Sequence, residues 1–174
     1  MSWNTYVDES ARQSYLLCGV NVEQSRTAEL RSNLRALRPP AQTRIHMYRE
    51  SKATQERIVR ELLTLEIHAW IIRVSGQVSK LPNSRHLAIR STSQIESMRR
   101  SRLLVFDQSS SHLADRRSLS EVASAVDFQF PHYRHMNSRH EPLLWLPDII
   151  AWCYGRGGTW RDAVEPLVTE VIEI

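Results

Sequence analysis

Three aspartates stand at points where apolar sequence gives way to polar sequence. Asp8 ends the first predicted strand, Asp107 directly follows the apolar segment 103–106, and Asp148 interrupts the apolar segment 143–152. Ligand sites of open α/β sheets gather at the carboxyl ends of strands. Mg²⁺ and Mn²⁺ prefer oxygen ligands, which carboxylates on separate elements can supply, and a buried carboxylate without a cation is costly or protonated. We therefore interpret the three residues as candidate ligands of Mg²⁺ or Mn²⁺.

Each aspartate also has an ordinary structural explanation. Asp8 could be a turn residue, and Asp107 could simply begin a polar loop. Asp148 follows Pro147 and could cap a helix that restarts there. Each position alone is weak evidence, and it is the situation shared by all three that favours a metal site.

The elements that must position these aspartates alternate along the chain. Strands are predicted at 6–8, 13–22, 43–48, 68–75, 103–106 and 126–136, the last at a sheet edge because it contains Pro131. Helices are predicted at 23–37, 51–65, 87–102, 119–125, 141–154 and from 159 toward the C-terminus, with polar loops at 78–85 and 108–117. This alternation predicts one α/β domain over residues 1–174, with a mixed sheet flanked by helices.

Composition bears on partners and compartment. The 174 residues carry a net charge of +4, and of the 23 basic residues only Lys52 and Lys80 are lysine. The planar arginine fork suits phosphate oxygens, so this excess is compatible with a nucleic-acid partner, although genomic base composition is the more ordinary explanation. Cys18 and Cys153 lie far apart and belong to no C-x-x-C pair. This argues against a disulfide framework or structural zinc and favours a reducing, cytoplasmic compartment.

We expect neither export nor membrane insertion. The N-terminal residues MSWN are polar and lead directly into a strand, unlike a signal peptide. The most apolar stretch, 143–154, contains Pro147 and Asp148 and is shorter than the roughly 20 apolar residues that span a bilayer.

Several histidines are further candidates. His46 could shuttle a proton or support a metal ligand, and a structural histidine is an equally good explanation. His112 lies in a predicted loop and is more simply an exposed loop residue. His132 and His140 would face one side of a strand and His135 the other, which is poor geometry for a three-histidine zinc site.

Clustered arginines are candidate contacts to substrate. Arg102, Arg116 and Arg117 flank Asp107 in sequence and could contact phosphates. A solvated helix face or loop is the ordinary explanation for such clusters.

Segments near both ends resemble a known family. YVDES at 6–10, followed by YLLCGV at 15–20, resembles the opening of the family called domain of unknown function 3800, which has a strand, Asp-Glu-Ser-Gly and then an apolar strand with a glycine. PLLWLPDIIAW at 142–152 resembles that family's closing signature, usually Leu-Gln-Leu-Ala-Asp-Leu-Ile-Ala. Segments 44–47 and 103–107 are similar to its short strand with a histidine and its later apolar strand ending in aspartate.

The resemblance implies an RNase H-like fold and a metal-dependent nuclease activity. Asp8, Asp107 and Asp148 would then surround two metal ions roughly 4 Å apart. A fourth acidic group is expected. Glu50 is the preferred candidate, because Glu9 is adjacent to Asp8 and strand alternation would turn it to the opposite face.

The sequence departs from the family pattern at three positions. Ala11 stands where glycine is usual, Trp145 where glutamine is usual and Pro147 where alanine is usual.

Three hypotheses about function stay open. They are a divalent-metal-dependent nuclease that hydrolyses phosphodiester bonds of nucleic acid, a non-catalytic module that binds nucleic acid or protein, and a nucleotide phosphohydrolase. A homo-oligomer or a protein partner also stays open. The chain has no Gly-rich phosphate loop, G-x-S-x-G or H-E-x-x-H motif, which disfavours those enzyme classes.

Overall fold

A six-stranded mixed sheet organises the chain in the computed structural model, which describes residues 1–76, 81–108 and 112–174. The strands are β1 (Trp3–Ala11), β2 (Tyr15–Glu23), β3 (His68–Val74), β4 (Ser101–Asp107), β5 (His132–Met136) and β6 (Val168–Glu173). Their order across the sheet is β5-β4-β1-β2-β3-β6. β1, β2 and β3 form an antiparallel meander. β4 joins β1, β5 joins β4 and β6 joins β3, each in parallel.

Helices cover both faces of the sheet. They are α1 (Thr27–Leu37), α2 (Lys52–Leu62), α3 (Leu81–Ser91), α4 (His112–Ala125), α5 (Trp145–Arg156) and α6 (Gly158–Val164). α1, α2, α5 and α6 pack on one face, where Leu34, Ile58 and Ile149 belong to one apolar cluster. α3 and α4 cover the other face through Ile89 and Leu119. The predicted mixed sheet flanked by helices is confirmed.

Side-chain alternation along β1 divides its residues between these two faces. Tyr6 belongs to the apolar cluster on the α5 face, and Val7 belongs to the cluster beneath α3 and α4. Asp8 follows the alternation of Tyr6, and Glu9 follows that of Val7. Two adjacent acidic residues are thereby directed to opposite sides of the sheet.

The glycine of β2 allows close contact with the neighbouring strand. A Cβ atom added to Gly19 would lie 2.1 Å from two carbon atoms of the Trp70 indole. Trp70 is fully buried on β3, where it pairs with Gly19 in the sheet register. The glycine in the apolar second strand therefore makes room for the largest side chain of the core.

The predicted strand at 43–48 is wrong. Met47–Arg49 form a 3₁₀ turn, and the residues before it belong to no strand. The alternation that suggested a strand is real, because Ile45 and Met47 are buried while Tyr48 is 69% exposed. The Met47 N–H donates to the side chain of Asp148 rather than to a neighbouring strand. Burial can thus alternate along an irregular segment that pairs with no strand.

Two predicted loops are largely helical. Residues 78–80 of the loop 78–85 lie outside the described residues, and α3 begins at Leu81, with Pro82 in its first turn, where proline fits a helix. α3 ends at Ser91, so the helix predicted to continue to residue 102 is too long. Residues 109–111 of the loop 108–117 lie outside the described residues, and α4 begins at His112. The polar, mostly exposed surface of α4 was mistaken for loop.

The predicted C-terminal helix ends early. α6 stops at Val164, a 3₁₀ turn containing Pro166 follows, and β6 pairs with β3. Burial alternates along β6 as on a half-covered edge strand, a period-two pattern that predicts a strand. The strand predicted at 126–136 is confirmed only for His132–Met136, which does lie at the other sheet edge.

Candidate metal centre

The sheet register brings Asp8 and Asp107 side by side. In the parallel pair of β1 and β4, Val7 pairs with Phe106, so the next residue on each strand is an aspartate. β1 does not end there but continues to Ala11. α5 packs across β1 and β2 on this face and carries Asp148 in its first turns. Three elements far apart in sequence therefore contribute one carboxylate each.

The electrostatics show that these carboxylates are close together. Burial, followed by the negative charges of Asp148 and Asp107, raises the pKa of Asp8 well above its usual value. Burial and the charges of Asp8 and Asp148 also raise the pKa of the Cys18 thiol, which pairs with Asp8 in the register of β2. The cluster formed by Asp8, Asp107 and Asp148 is called the acidic cluster below. The three carboxylates repel one another when they are ionised, and a bound cation would offset this repulsion.

Asp8 has little compensation from the protein. Its Oδ1 accepts a 2.8 Å hydrogen bond from the backbone N–H of Glu9. No other described residue donates to its carboxylate, and none of the arginines in the described ranges forms an ion pair with it.

Asp107 is held by the segment that follows β5. The backbone N–H of Ser138 donates to Asp107 Oδ1 at 3.0 Å, and Arg44 Nη1 lies 3.8 Å from Oδ2. The same Arg44 nitrogen donates to Ser138 Oγ at 2.6 Å. The Trp145 indole N–H donates to the Ser138 carbonyl oxygen at 2.6 Å. Sequence reasoning missed Ser138 and Arg44, since neither stands beside an aspartate in the chain.

The structure explains the unusual Trp145. This side chain is 1% exposed, and its hydrogen bond to the carbonyl of Ser138 anchors the residue whose N–H holds Asp107. At the position where the family resemblance predicts glutamine, this chain therefore has a tryptophan that supports the Asp107 carboxylate indirectly, through Ser138.

Asp148 is held by the segment that was predicted to be a strand. The Met47 N–H donates to Asp148 Oδ2 at 3.2 Å, and His46 Nδ1 lies 3.4 Å from Oδ1. Glu50 is buried and accepts hydrogen bonds from Gln42 Nε2 at 3.1 Å and from the His46 N–H at 3.5 Å. The structure therefore brings His46 to the acidic cluster, while the Glu50 carboxylate is engaged in bracing the His46 segment.

Glu9 faces away from the acidic cluster, as strand alternation predicted. Its Oε2 accepts from Arg85 Nη1 and from the Tyr15 hydroxyl, both at 2.6 Å. Arg85 also makes two 2.7 Å hydrogen bonds to Asp115, and His135 Nε2 lies 2.9 Å from the same carboxylate. Burial acts to raise the pKa of Asp115, but the hydrogen bonds from Arg85 and His135 outweigh it and hold that pKa below its usual value. Glu9 thus belongs to a compensated network on the α3 and α4 face.

The predicted phosphate contacts are not all near the acidic cluster. Arg102 lies at the beginning of β4 and Asp107 at its end, five residues apart, which corresponds to about 17 Å along a strand. Arg102 therefore lies away from the acidic cluster, and its contact with substrate phosphates stays a prediction. Arg116 and Arg117 are exposed on α4. His112 begins α4, and its ring lies 6.1 Å from that of His135.

The acidic cluster suits a divalent cation by donor chemistry. Three carboxylates supply hard oxygen ligands, and burial together with the charges of Asp148 and Asp107 raises the pKa of Asp8. No three His, Cys, Asp or Glu side chains within residues 1–76, 81–108 and 112–174 are already arranged as a metal-binding group.

Comparison with solved structures finds nucleases of the RNase H class. Bst-RNase HIII in complex with Mn²⁺ matches with a TM-score of 0.53 and 9% identity, over 86% of this chain and 50% of that chain. A glutamine-to-alanine mutant of Bst-RNase HIII matches with a TM-score of 0.53 and 9% identity, over 95% and 61% of the two chains. RNase HII in its PCNA complex from Archaeoglobus fulgidus gives 0.48 and 14%, over 87% and 70%.

This chain has an RNase H-like fold. The match to this chain covers about half to three fifths of the length of the Bst-RNase HIII chains. At identities of this size, the likeness concerns the fold alone. No family model and no curated protein sequence matches the chain. None of the helices in the described ranges is long and apolar enough to cross a membrane.

Proposed function

We propose that this RNase H-like chain is a divalent-metal-dependent nuclease that hydrolyses phosphodiester bonds of nucleic acid. The observation that carries the proposal is the convergence of Asp8, Asp107 and Asp148, where burial and then the charges of Asp148 and Asp107 raise the pKa of Asp8. A cluster of this kind, on this fold, is what a cation-dependent phosphoryl-transfer site requires. The Mn²⁺ complex of Bst-RNase HIII and the resemblance to the domain of unknown function 3800 family both support the proposal.

The acidic cluster would hold Mg²⁺ or Mn²⁺. When bound, such a cation lowers the pKa of a coordinated water and stabilises charge on phosphate oxygens. The protein's own contribution is to hold three carboxylates on one rigid face. β1 and β4 position Asp8 and Asp107 through the sheet register, and α5 positions Asp148.

His46 and Arg44 would support the site from its rim. His46 Nδ1 beside Asp148 orients that carboxylate, and its imidazole is placed to exchange a proton at the edge of the cluster. Arg44, with 33% of its side chain exposed, lies beside Asp107 and is placed to contact a phosphate there.

The test combines binding and cleavage. We expect Mn²⁺ to bind the wild-type protein saturably, as measured by calorimetry, and expect single-stranded or duplex nucleic acid to be cleaved only with Mn²⁺ or Mg²⁺. Asp107→Asn should abolish both results. Asp162→Asn is the matched control, because Asp162 is exposed on α6 and should leave both unchanged. Cation binding that Asp107→Asn does not alter would contradict the proposal. Hydrolysis restricted to mononucleotides would also contradict it and would favour a nucleotide phosphohydrolase.

A further inference from the structure

An arginine-lined cavity lies between the connection of β1 to β2 and the C-terminal end of α5. It has a volume of about 510 Å³ and is lined by Arg12, Gln13, Gly155 and Arg156. The first two residues follow β1 in the tight connection to β2, and the last two end α5. The cavity is therefore built by the same two elements that carry Asp8 and Asp148.

The spacing along both elements connects the cavity to the acidic cluster. Asp148, Trp152 and Arg156 are four residues apart, so they lie in one row along α5. At 1.5 Å per residue, the Cα atoms of Asp148 and Arg156 are about 12 Å apart along the helix axis. Ser10 lies between Asp8 and the cavity, since its Oγ is 3.9 Å from the position of a Cβ on Gly155.

The cavity carries positive charge that the protein does not neutralise. Arg12 and Arg156 are both exposed, and neither forms an ion pair with any carboxylate in the described part of the chain. Their guanidinium groups lie over aromatic rings instead. Arg12 is 5.0 Å from the centre of the Tyr48 ring, and Arg156 is 5.2 Å from that of Trp152. Such packing fixes each cation while leaving its N–H donors available.

Tyr48 adds an exposed aromatic ring at the edge of this surface. It is 69% exposed, and its ring centre lies 6.4 Å from that of His46, which contacts Asp148. Arg12 is placed over this ring. Unpaired cations beside an exposed ring match the features by which proteins hold single strands, with phosphates on arginine and unpaired bases on aromatic faces.

We propose that Arg12, Arg156 and Tyr48 bind a single-stranded segment of nucleic acid and lead it to the acidic cluster. The two guanidinium groups contact successive phosphates, and Tyr48 stacks on an unpaired base. The inference rests on the proposed nuclease function and names its substrate class. The faces of a base inside a duplex are covered by its neighbours and cannot stack on Tyr48, so intact duplexes bind less well than single strands.

The experiment measures binding without metal, so that it does not depend on cleavage. Fluorescence anisotropy of a labelled oligonucleotide of about 16 residues in EDTA is compared with that of its duplex, at about 50 and about 200 mM salt. We expect single strands to bind more tightly than duplex. Arg12→Gln with Arg156→Gln should weaken single-strand binding by on the order of tenfold or more and reduce the salt slope by about 1.4, the contribution of two phosphates. Tyr48→Ala should weaken it by roughly tenfold.

Two control variants match the test variants in the charge removed or in the ring retained. Arg35→Gln with Arg90→Gln removes the same charge from exposed arginines on α1 and α3 and should alter affinity less than twofold. Tyr48→Phe retains the ring and should bind like wild type. Equal loss in both double variants, equal affinity for single strand and duplex, or no effect of Tyr48→Ala overturns the inference. Cleavage in Mn²⁺ is scored separately: its absence with normal single-strand binding defeats the nuclease proposal and leaves the binding surface intact.

Discussion

The backbone N–H of Glu9 donates to the carboxylate of Asp8, yet the two side chains serve opposite faces of the sheet. Asp8 joins the acidic cluster beneath α5, where the charges of Asp148 and Asp107 oppose its ionisation. Glu9 binds Arg85 and Tyr15 beneath α3 and α4. One residue of spacing along β1 therefore separates a carboxylate that lacks a counter-charge from one that is fully engaged.

Neutralising these two neighbours should change stability in opposite directions. Without metal at neutral pH, Asp8→Asn should raise the free energy of unfolding by about 1 kcal/mol, because an amide removes the repulsion from Asp107 and Asp148. Glu9→Gln should lower it by roughly 1–3 kcal/mol, because it weakens charge-assisted hydrogen bonds. Urea denaturation in EDTA measures both. If Asp8→Asn is destabilising under these conditions, the acidic cluster is not a site of repulsion.

Removing the central arginine of the opposite network should be strongly destabilising. Arg85 is 8% exposed and binds both Asp115 and Glu9. Arg85→Met leaves two carboxylates without their cation, so we expect a loss of about 3–5 kcal/mol in urea denaturation. Arg90→Met, on the exposed side of the same helix, should stay within about 0.5 kcal/mol of wild type. Similar losses in the two variants would show that the network contributes little.

The same network predicts sensitivity to acid. The folded state holds the pKa of Asp115 below its usual value. Such a group stabilises the fold above its unfolded pKa of about 3.9, and this stabilisation disappears as the pH falls through the lower, folded pKa. We expect the free energy of unfolding to fall below about pH 4 and to fall less steeply in Asp115→Asn, as followed by urea midpoints across this range. An unchanged slope in the variant would contradict the prediction.

Trp145 should act on metal binding through Ser138. Trp145→Phe removes the donor to the Ser138 carbonyl, so Ser138, whose N–H holds Asp107, becomes less ordered. We expect Mn²⁺ affinity, measured by calorimetry, to fall roughly 10- to 100-fold, as for other supporting residues of metal sites.

Trp152→Phe is the matched control for this change. It makes the same substitution in a buried tryptophan whose indole nitrogen has no hydrogen-bond partner among the described residues. Its Mn²⁺ affinity should stay close to that of wild type. Equal losses of affinity in the two variants would indicate general loosening of α5 rather than positioning of Asp107.

The sequence by itself determined the local features of this protein. Apolar runs identified β2, β3 and β4, the alternation of helices and strands predicted the mixed sheet, and strand periodicity placed Glu9 opposite Asp8. The boundaries of α3 and α4, and the strand β6, were missed because polar helix surfaces and edge strands carry weak local signals.

Only the tertiary structure decided which groups meet. Arg44, Ser138 and Trp145 each lie at least 31 residues from Asp107 in the chain, and no local pattern links them to it. Arg102 is near Asp107 in sequence but at the other end of β4. The physical reason is that periodicity specifies which way a side chain points from its own element, whereas the packing of distant elements specifies what it points toward.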